Sequence, residues 1–249
     1  LMEIEAFIHG ALCVAQSGRC RMSLYTDNAS ANRGACLQNC RAAYKVTDID
    51  TGKELVIDNQ YVMSAADICT IDFLDELLDA GVQVMKIEGR GRAPEYVATV
   101  VKTYKQALQD IQDHTYTPER IAEYYSRLET VYNHTLSRGN YYLGKELGSY
   151  SDVRGSKATT EKEHIGRVLH YYPKTSIAEF QMESGQLTAG SPLLFIGSTT
   201  GALEVTPESI WVDDCESQTA QKGVIVTCKV PVRVRENDKV YIVKPRDSW

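Results

Sequence analysis

Strand-like apolar runs alternate with helical periodicity over roughly the first 140 residues. Short continuous apolar runs predict buried strands at 4–8 and 82–87. Apolar residues at helical spacing predict helices at 71–78, 94–108 and 118–132. Pro94 and Pro118 fit the first turns of their helices, where a missing N–H costs little. A strand that follows a helix in this way is typical of an α/β domain of the (β/α)-barrel type.

Shorter patterns fill the gaps between these elements. Residues 44–48 and 54–58 alternate around Asp50-Thr51-Gly52, which is the pattern of a β-hairpin. Residues 11–16 indicate a helix or turn that stops at a Ser-Gly pair. The small, polar stretch 26–35 predicts a loop.

The pattern changes after about residue 160 to short strands without helices. Strands are predicted at 165–171, 176–182, 192–196, 210–212, 224–230 and 239–243. Six short strands separated by turn signals predict a small β-barrel. The chain therefore divides into an α/β domain over 1–140, a linker over 141–160 and an all-β domain over 161–249.

Composition limits the compartment and the partners. Hydrophobic residues make up 43% of the 249 residues, and no run approaches the roughly 18 apolar residues of a membrane span. No signal peptide is recognisable, which together with reduced thiols indicates a cytoplasmic protein without a membrane partner. The net charge of −6 argues against a broadly basic nucleic-acid-binding surface, but it allows a local basic groove.

Four of the seven cysteines fall within 28 residues near the N-terminus. Cys13, Cys20, Cys36 and Cys40 follow the spacing C-x6-C, C-x15-C and C-x3-C. Thiolates are soft ligands, and four that converge suit zinc or an iron–sulfur cluster. Structural zinc sites usually contain two short cysteine pairs, whereas only Cys36 and Cys40 form one here. Spacing alone therefore favours iron–sulfur slightly over zinc.

Two other interpretations of these thiols stay open. A free cysteine is often only a small buried hydrophobic side chain. Disulfides are the second alternative, but an odd count of seven would leave one thiol unpaired, and small disulfide scaffolds are denser in cysteine.

Two groups of charged residues could act in catalysis or in substrate binding. Glu5 and His9 are four apart in a predicted strand, so we expect them on one face as an acid/base or substrate-binding pair. A buried, hydrogen-bonded pair is the alternative. Near the end of the strand at 82–87, several charged residues could bind phosphate or carboxylate groups, unless they form ordinary surface salt bridges. The predicted substrate-binding residues are Lys86, Glu88, Arg90 and Arg41. Further arginines could join Arg90 and Arg41 in a positive mouth around the cysteines, namely Arg92, Arg19, Arg21 and Arg33.

Three stretches of the chain carry a resemblance to a known family. The first is E-A-F-I-H-G-A-L-C-V-A-Q-S-G-R-C, and the later ones are R-G-A-C-L-Q-N-C-R and K-I-E-G-R. They resemble the signature blocks of the collagenase-like peptidase family, peptidase family U-thirty-two. The resemblance implies a (β/α) barrel followed by a small translation-factor-like β-barrel. It also implies that this chain is a C-terminal portion of the family's usual length, so the N-terminal half of the barrel, or an oligomeric partner, would complete it.

The same resemblance carries functional implications. Family members take part in the hydroxylation of tRNA or ribosomal RNA, or in oxygen-independent ubiquinone hydroxylation. Those branches carry a four-iron–four-sulfur cluster, and the matching ligands here are Cys13, Cys20, Cys36 and Cys40. The expected function is therefore that of an iron–sulfur enzyme of RNA hydroxylation, with tRNA as the favoured substrate.

Two alternatives accompany this expectation. The first is a peptidase, with or without a metal such as zinc, that uses Glu5 and His9. No Ser or Cys nucleophile motif such as G-x-S-x-G occurs, which argues against proteolysis. The second alternative is a binding module without catalytic activity.

Overall fold

The computed structural model describes residues 2–57, 64–139, 151, 153 and 155–247. The chain divides into two compact units. Unit 1 comprises Leu1–Ala93 with Thr99–Ala158, and unit 2 comprises Pro94–Ala98 with Thr159–Trp249. No helix in the described residues combines the length and the apolar character needed to cross a membrane.

Six strands and four α-helices occur in the described residues of the first part of the chain. The strands are β1 (Glu5–Gly10), β2 (Tyr44–Thr47), β3 (Glu54–Ile57), β4 (Asp67–Cys69), β5 (Val84–Ile87) and β6 (Leu136–Ser137). The helices are α1 (Arg21–Asp27), α2 (Leu74–Asp79), α3 (Pro94–Gln112) and α4 (Pro118–Glu129). One mixed sheet has the order β5-β1-β4-β6, and β2 and β3 pair separately as a hairpin. The result is an α/β unit built around a four-stranded sheet.

The mixed sheet gives unit 1 its core. β5 runs parallel to β1, whereas β4 runs antiparallel to it. Ile8, Ile71 and Leu74 are fully buried between the sheet and the helices, as are Tyr124 and Leu128 from α4. Burial of each such side chain contributes about 1.5–3 kcal/mol, so this core is what holds the ends of β1 and β4 in place.

Several predicted elements of unit 1 are confirmed. The strands at 4–8 and 82–87 correspond to β1 and β5, and the hairpin corresponds to β2 and β3. The helix at 94–108 corresponds to α3, with Pro94 in its first turn. The helix at 118–132 corresponds to α4, which ends three residues earlier, at Glu129. Its cap is confirmed too, because the Thr117 hydroxyl accepts a hydrogen bond from the Arg120 amide at 3.4 Å.

Other local predictions are wrong. The predicted helix or turn at 11–16 is absent: only a 3-10 turn at Gln16–Gly18 forms there, and α1 follows it instead. α1 extends into the stretch predicted as a loop at 26–35, which also contains a 3-10 turn at Ala31–Arg33. The helix predicted at 71–78 begins only at Leu74. The helix begins late because strand β4 extends to Cys69, two residues before the predicted start of the helix.

Unit 2 is all-β in the described residues beyond its short N-terminal piece of α3. Its strands are β7 (Thr160–Tyr172), β8 (Ile177–Met182), β9 (Gln186–Thr188), β10 (Leu193–Gly197), β11 (Gly201–Val205), β12 (Ile210–Val212), β13 (Cys215–Ser217), β14 (Thr219–Gln221), β15 (Ile225–Lys229) and β16 (Lys239–Pro245). The six predicted strands are confirmed as β7, β8, β10, β12, β15 and β16. Four further short strands complete the unit.

The strands of unit 2 form one large sheet and one small one. The large sheet has the order β11-β10-β16-β7-β8-β15-β12-β13, and β9 pairs with β14. Its core contains Phe180 and Phe195, whose rings meet edge to face at 6.1 Å between centroids. The two outer strands, β11 and β13, do not pair with each other in the described residues, so the predicted small β-barrel is not confirmed.

The predicted linker lies mostly outside the described residues, which omit 140–150, 152 and 154. The parts that are described pack closely. Ser151 is fully buried, and its amide donates to the Ser64 carbonyl at 2.7 Å. Ser156 is also buried and caps the amides of Asn133 and Ala158. These residues therefore belong to the packed part of unit 1.

Gly10, at the end of β1, is required by a close backbone approach. Its φ is +120°, and a Cβ there would lie 2.5 Å from the Glu88 carbonyl oxygen. We expect Gly10→Ala to lower the free energy of unfolding by about 2 kcal/mol. Gly52→Ala is the matched control, because φ is also positive but no atom lies within 4 Å. Urea unfolding should show a cost of about 1 kcal/mol for this control; equal costs would refute the role of the Glu88 contact.

Candidate functional site: the cysteine segment and a buried ionic cluster

The cysteine segment, residues 13–41, consists of α1 and short 3-10 turns on either side of it. Cys13 and Cys36 are exposed, whereas Cys20 and Cys40 are partly buried. All seven cysteines are free thiols, so the disulfide interpretation has no support in the structure. The Asn39 side chain donates to the Thr26 hydroxyl at 2.7 Å, and the Tyr44 hydroxyl donates to the Asn39 carbonyl at 2.7 Å. These bonds hold the end of the segment against α1 and β2.

Two thiols accept backbone hydrogen bonds. The Cys20 sulfur caps α1 by accepting from the Ser23 amide at 3.4 Å, and the Cys13 sulfur accepts from the Ala15 amide at 3.4 Å. Hydrogen bonds from Ser23, from its side chain and then its backbone, lower the pKa of Cys20. Hydrogen bonding favours the thiolate, which is the form that binds metals.

The pKa of Cys40 depends on the other three cysteines of the segment. Burial raises its pKa most, and the Arg41 guanidinium opposes that effect. Negative charge on Cys36, Cys13 and Cys20 raises the pKa of Cys40 further. The four sulfurs all belong to the cysteine segment of unit 1. They are not in a coordinating arrangement, because no group of three or more His, Cys, Asp or Glu in the described residues could hold a metal ion as placed.

A buried ionic cluster lies directly beyond the cysteine segment. Its centre is Asp67, which is 1% exposed and opens β4. The carboxylate accepts hydrogen bonds from the His134 amide and the His134 Nδ1, each at 3.0 Å. The guanidinium groups of Arg41 and Arg92 approach it at 3.8 and 4.0 Å. Arg41 also donates to the Ser64 hydroxyl at 2.9 Å.

The protonation states in this cluster follow from its burial and charges. Burial alone would raise the pKa of Asp67, but the hydrogen bond from His134 and the charges of Arg92 and Arg41 lower it overall. Burial lowers the pKa of His134 in spite of Asp67, so this histidine is neutral. Its Nδ1–H then donates to Asp67, and its Nε2 accepts from the Tyr132 hydroxyl at 3.2 Å. Arg92 stacks over the Tyr132 ring at 4.1 Å.

His9 is buried close to this cluster. It is 1% exposed, and burial lowers its pKa to about 4; Asp67 opposes this shift and Arg92 adds to it. Its Nδ1 lies 3.4 Å from the Tyr104 hydroxyl, which itself donates to the Ile8 carbonyl at 2.9 Å. The imidazole is therefore neutral near pH 7 and forms part of the polar interior.

The predicted pair of Glu5 and His9 is not brought together. Glu5 is half exposed and forms a salt bridge with Lys86 at 2.8 Å. The prediction that the two share a face is wrong, because a β-bulge between Phe7 and His9 shifts the register against β5. Two-residue alternation holds only in a regular strand, and the extra residue at the bulge turns His9 to the other face.

The predicted substrate-binding residues lie in separate places. Lys86 pairs with Glu5, as in the salt-bridge alternative. The Glu88 carboxylate accepts from the Arg90 amide at 2.8 Å, and Arg90 donates to the Asn32 carbonyl at 3.0 Å within the cysteine segment. Arg41 is only 4% exposed and belongs to the buried ionic cluster. These four residues therefore do not line one surface.

Three members of the buried ionic cluster were not predicted as site residues: Asp67, His134 and Tyr132. Asp67 carried a usable signal, since it is a charged residue inside the small, apolar stretch S-A-A-D-I-C. Such a residue needs a buried partner if the stretch is in a core. His134 lies 67 positions away in sequence, and nothing in its own neighbourhood indicates that pairing.

Comparison with known proteins assigns the family. The model of peptidase family U32 matches residues 1–150. A collagenase of Porphyromonas gingivalis is 44% identical over 247 residues, which is 99% of this chain and 59% of that protein. A tRNA hydroxylation protein of Bacillus subtilis is 30% identical over 221 residues, which is 86% of this chain and 51% of that protein. A 23S rRNA 5-hydroxycytidine synthase of Escherichia coli is 44% identical over 108 residues, which is 43% of this chain and 16% of that protein.

These relatives differ in their named activities. This chain spans about three fifths of the length of the collagenase relative and about half that of the tRNA hydroxylation relative. Relatives of both kinds are named as enzymes or enzyme components. On the family match over 1–150, this chain belongs to peptidase family U32.

Proposed function

We propose that this chain is an iron–sulfur part of an RNA-hydroxylating enzyme, with tRNA as the favoured substrate. The carrying observation is that four free thiols, Cys13, Cys20, Cys36 and Cys40, lie in one segment whose end is held against α1 by the hydrogen bond from Asn39 to Thr26. Relatives named for tRNA hydroxylation and for rRNA 5-hydroxycytidine synthesis support the substrate class.

The donor set fits a four-iron–four-sulfur cluster. Four thiolates and no other ligand type are what such clusters use. The residues that would hold the cluster are Cys13, Cys20, Cys36 and Cys40, of which Cys13 and Cys36 are exposed. When bound, the cluster would supply one-electron transfer, since four cysteine ligands leave no open position for a Lewis acid.

The chain's own residues would fix one ligand and leave the others adaptable. Arg41 follows Cys40 directly, and it is anchored on Ser64 and Asp67 in the core. Its guanidinium also lowers the pKa of Cys40 against the effect of burial, which favours the thiolate. The buried ionic cluster would thus position Cys40, while RNA approaches from the exposed side of the cysteine segment.

The test is iron and sulfide content with a visible spectrum, on protein purified without oxygen. We expect about four irons per chain in the parent protein. The double variant Cys36→Ala, Cys40→Ala should lose the iron. Cys215→Ala is the matched control, since Cys215 is an exposed cysteine in unit 2. Iron retained in the double variant would refute the ligand assignment, and one tightly held zinc would support the zinc alternative.

Substrate is tested separately in cells. The parent chain, extended to the relatives' full length, should restore a gain of one oxygen on a tRNA or rRNA nucleoside in a host lacking its own hydroxylation genes. Mass spectrometry of digested RNA measures this gain. Cys36→Ala, Cys40→Ala should abolish it. A gain of oxygen in that variant would refute a role for the cluster.

Peptidase activity is the second candidate, because the collagenase relative covers nearly the whole chain at 44% identity. The site observed here gives it less support, since Glu5 and His9 lie on different faces of β1. Its test is the release of peptides from denatured collagen. Release by the pure protein that is lost in Glu5→Ala would favour this candidate, and release unaffected by Glu5→Ala would remove Glu5 from it.

A further inference from the structure

The exposed side of the cysteine segment is basic in an otherwise acidic chain. Residues 13–41 contain four arginines and a single acidic residue, Asp27, whereas the whole chain has a net charge of −6. Arg41 is buried, but Arg19, Arg21 and Arg33 are exposed. Within the described residues none of these three forms a salt bridge, in contrast to Arg120, Arg138 and Arg167 elsewhere. Positive charge is therefore left available at this surface.

A cleft opens beside Cys20 on this side. Its volume is about 670 Å³, and it lies between the turn at Gln16–Gly18 and the start of α1. Arg19, Cys20 and Arg21 line it, together with the apolar side chains of Val14 and Met22. A cleft of this size is within the range of small-ligand sites, and it is large enough for one nucleotide.

An exposed aromatic side chain belongs to the same helix as Arg21, which lines the cleft. Tyr25 is 87% exposed and is four residues after Arg21 on α1, so the two lie on the same side of the helix. Such exposure is unusual for a large aromatic ring. Arg33 belongs to the turn at Ala31–Arg33. This turn packs against the turn at Gln16–Gly18, as shown by the 3.4 Å that would separate a Cβ on Gly18 from the Asn32 Cβ.

We propose that this surface binds single-stranded RNA, with one nucleotide in the cleft beside Cys20. Arg19, Arg21 and Arg33 contact backbone phosphates, and Tyr25 stacks on a neighbouring base. Guanidinium groups suit phosphates, and stacking on exposed aromatic rings is how proteins hold unpaired bases. This inference rests on the proposed function for the identity of the nucleic acid, and it places the reacting base next to a cysteine of the segment.

The test is fluorescence anisotropy of a labelled RNA stem-loop with an unpaired loop, titrated with the full chain at several salt concentrations. The triple variant Arg19→Ala, Arg21→Ala, Arg33→Ala should bind on the order of 100-fold more weakly. Its slope of log K against log salt should fall by about 2, since each phosphate contact to a single strand contributes about 0.7. Tyr25→Ala should weaken binding about tenfold or more without changing the slope.

Two controls distinguish RNA binding at this surface from a general effect of protein charge and from misfolding. Lys222→Ala, Lys229→Ala, Arg233→Ala removes the same charge from exposed positions of unit 2 and should leave affinity within about twofold. The triple lysine variant Arg19→Lys, Arg21→Lys, Arg33→Lys keeps the charge and should retain the salt slope. Equal losses in the cysteine-segment and unit 2 alanine variants would overturn the proposal, as would an unchanged affinity in both.

The iron assay tests the proposed cluster, and the binding assay tests the proposed RNA-binding surface, so each proposal can be refuted without the other. RNA binding that depends on the three arginines in a protein without iron would support this surface and count against the proposed cluster. Four irons with RNA binding that ignores the arginines would support the cluster and overturn this surface. Iron is also measured in the triple alanine variant, to show whether its weaker RNA binding comes from loss of the cluster. If iron is lost there, the salt slope of the triple lysine variant tests whether the three positive charges bind RNA.

Discussion

Replacing Asp67 with alanine is expected to lower the free energy of unfolding by about 3–5 kcal/mol, because it leaves buried charges without their partner. The carboxylate is 1% exposed and lies between the Arg41 and Arg92 guanidinium groups. It also accepts two hydrogen bonds from His134. Without it, desolvated positive charge remains in the core, and the His134 donors lose their acceptor.

Hydrogen exchange of the β1 and β4 amides measures this loss within unit 1, independently of unit 2. The control is Glu54→Ala, which breaks the exposed Lys45–Glu54 salt bridge of the hairpin. An exposed pair contributes at most about 1 kcal/mol, so this variant should change little. If Asp67→Ala lowers the free energy of unfolding by no more than Glu54→Ala does, the buried ionic cluster does not stabilise the unit. Asp67→Asn should fall between the two, because the amide keeps one acceptor oxygen for His134.

Acidification from pH 7 to pH 5 is expected to lower the free energy of unfolding by about 2 kcal/mol through His9 alone. Burial lowers the pKa of His9 to about 4 in the folded state, whereas an unfolded histidine titrates near 6.5. Between these values the unfolded chain binds the proton and the folded chain does not. Stability from this residue is therefore present above about pH 6.5 and falls as the pH drops toward 4.

His134 adds to the same slope, because burial lowers its pKa as well. The groups that face His9 are Tyr104 from α3, Asp67 from β4 and Arg92. Urea midpoints at pH 7, 6 and 5 should therefore fall steadily for the parent and less steeply for His9→Gln. His170→Gln, at an exposed position of unit 2, is the control and should keep the parent's slope. A parent-like slope in His9→Gln would contradict the assignment.

Local patterns predicted most of the regular elements, because those elements depend on neighbouring residues. The hairpin of β2 and β3 follows from alternation around a glycine-containing turn, and the strands of unit 2 follow from short β-rich runs. α1 was missed for a physical reason: its first amides are capped by the Cys20 thiol instead of the usual Ser, Thr, Asp or Asn.

The candidate site was predictable only in part. The four cysteines stand out by spacing, and the exposed arginines between them by type. The bulge in β1 was not predictable, and it moved His9 away from Glu5. The partnership of Asp67 with His134 joins residues far apart in the chain, which no local pattern encodes. The strand order of unit 2 depends likewise on pairings between strands far apart in the chain.

The attachment of Arg41 to the core bears on how differently the four thiols of the segment can react. Cys40 precedes a residue whose guanidinium contacts Ser64 and Asp67, whereas Cys13 and Cys36 are exposed. A thiol reagent in solution therefore meets Cys13 and Cys36 first, and it meets Cys40 only at the end of the segment that is tied to the core of unit 1.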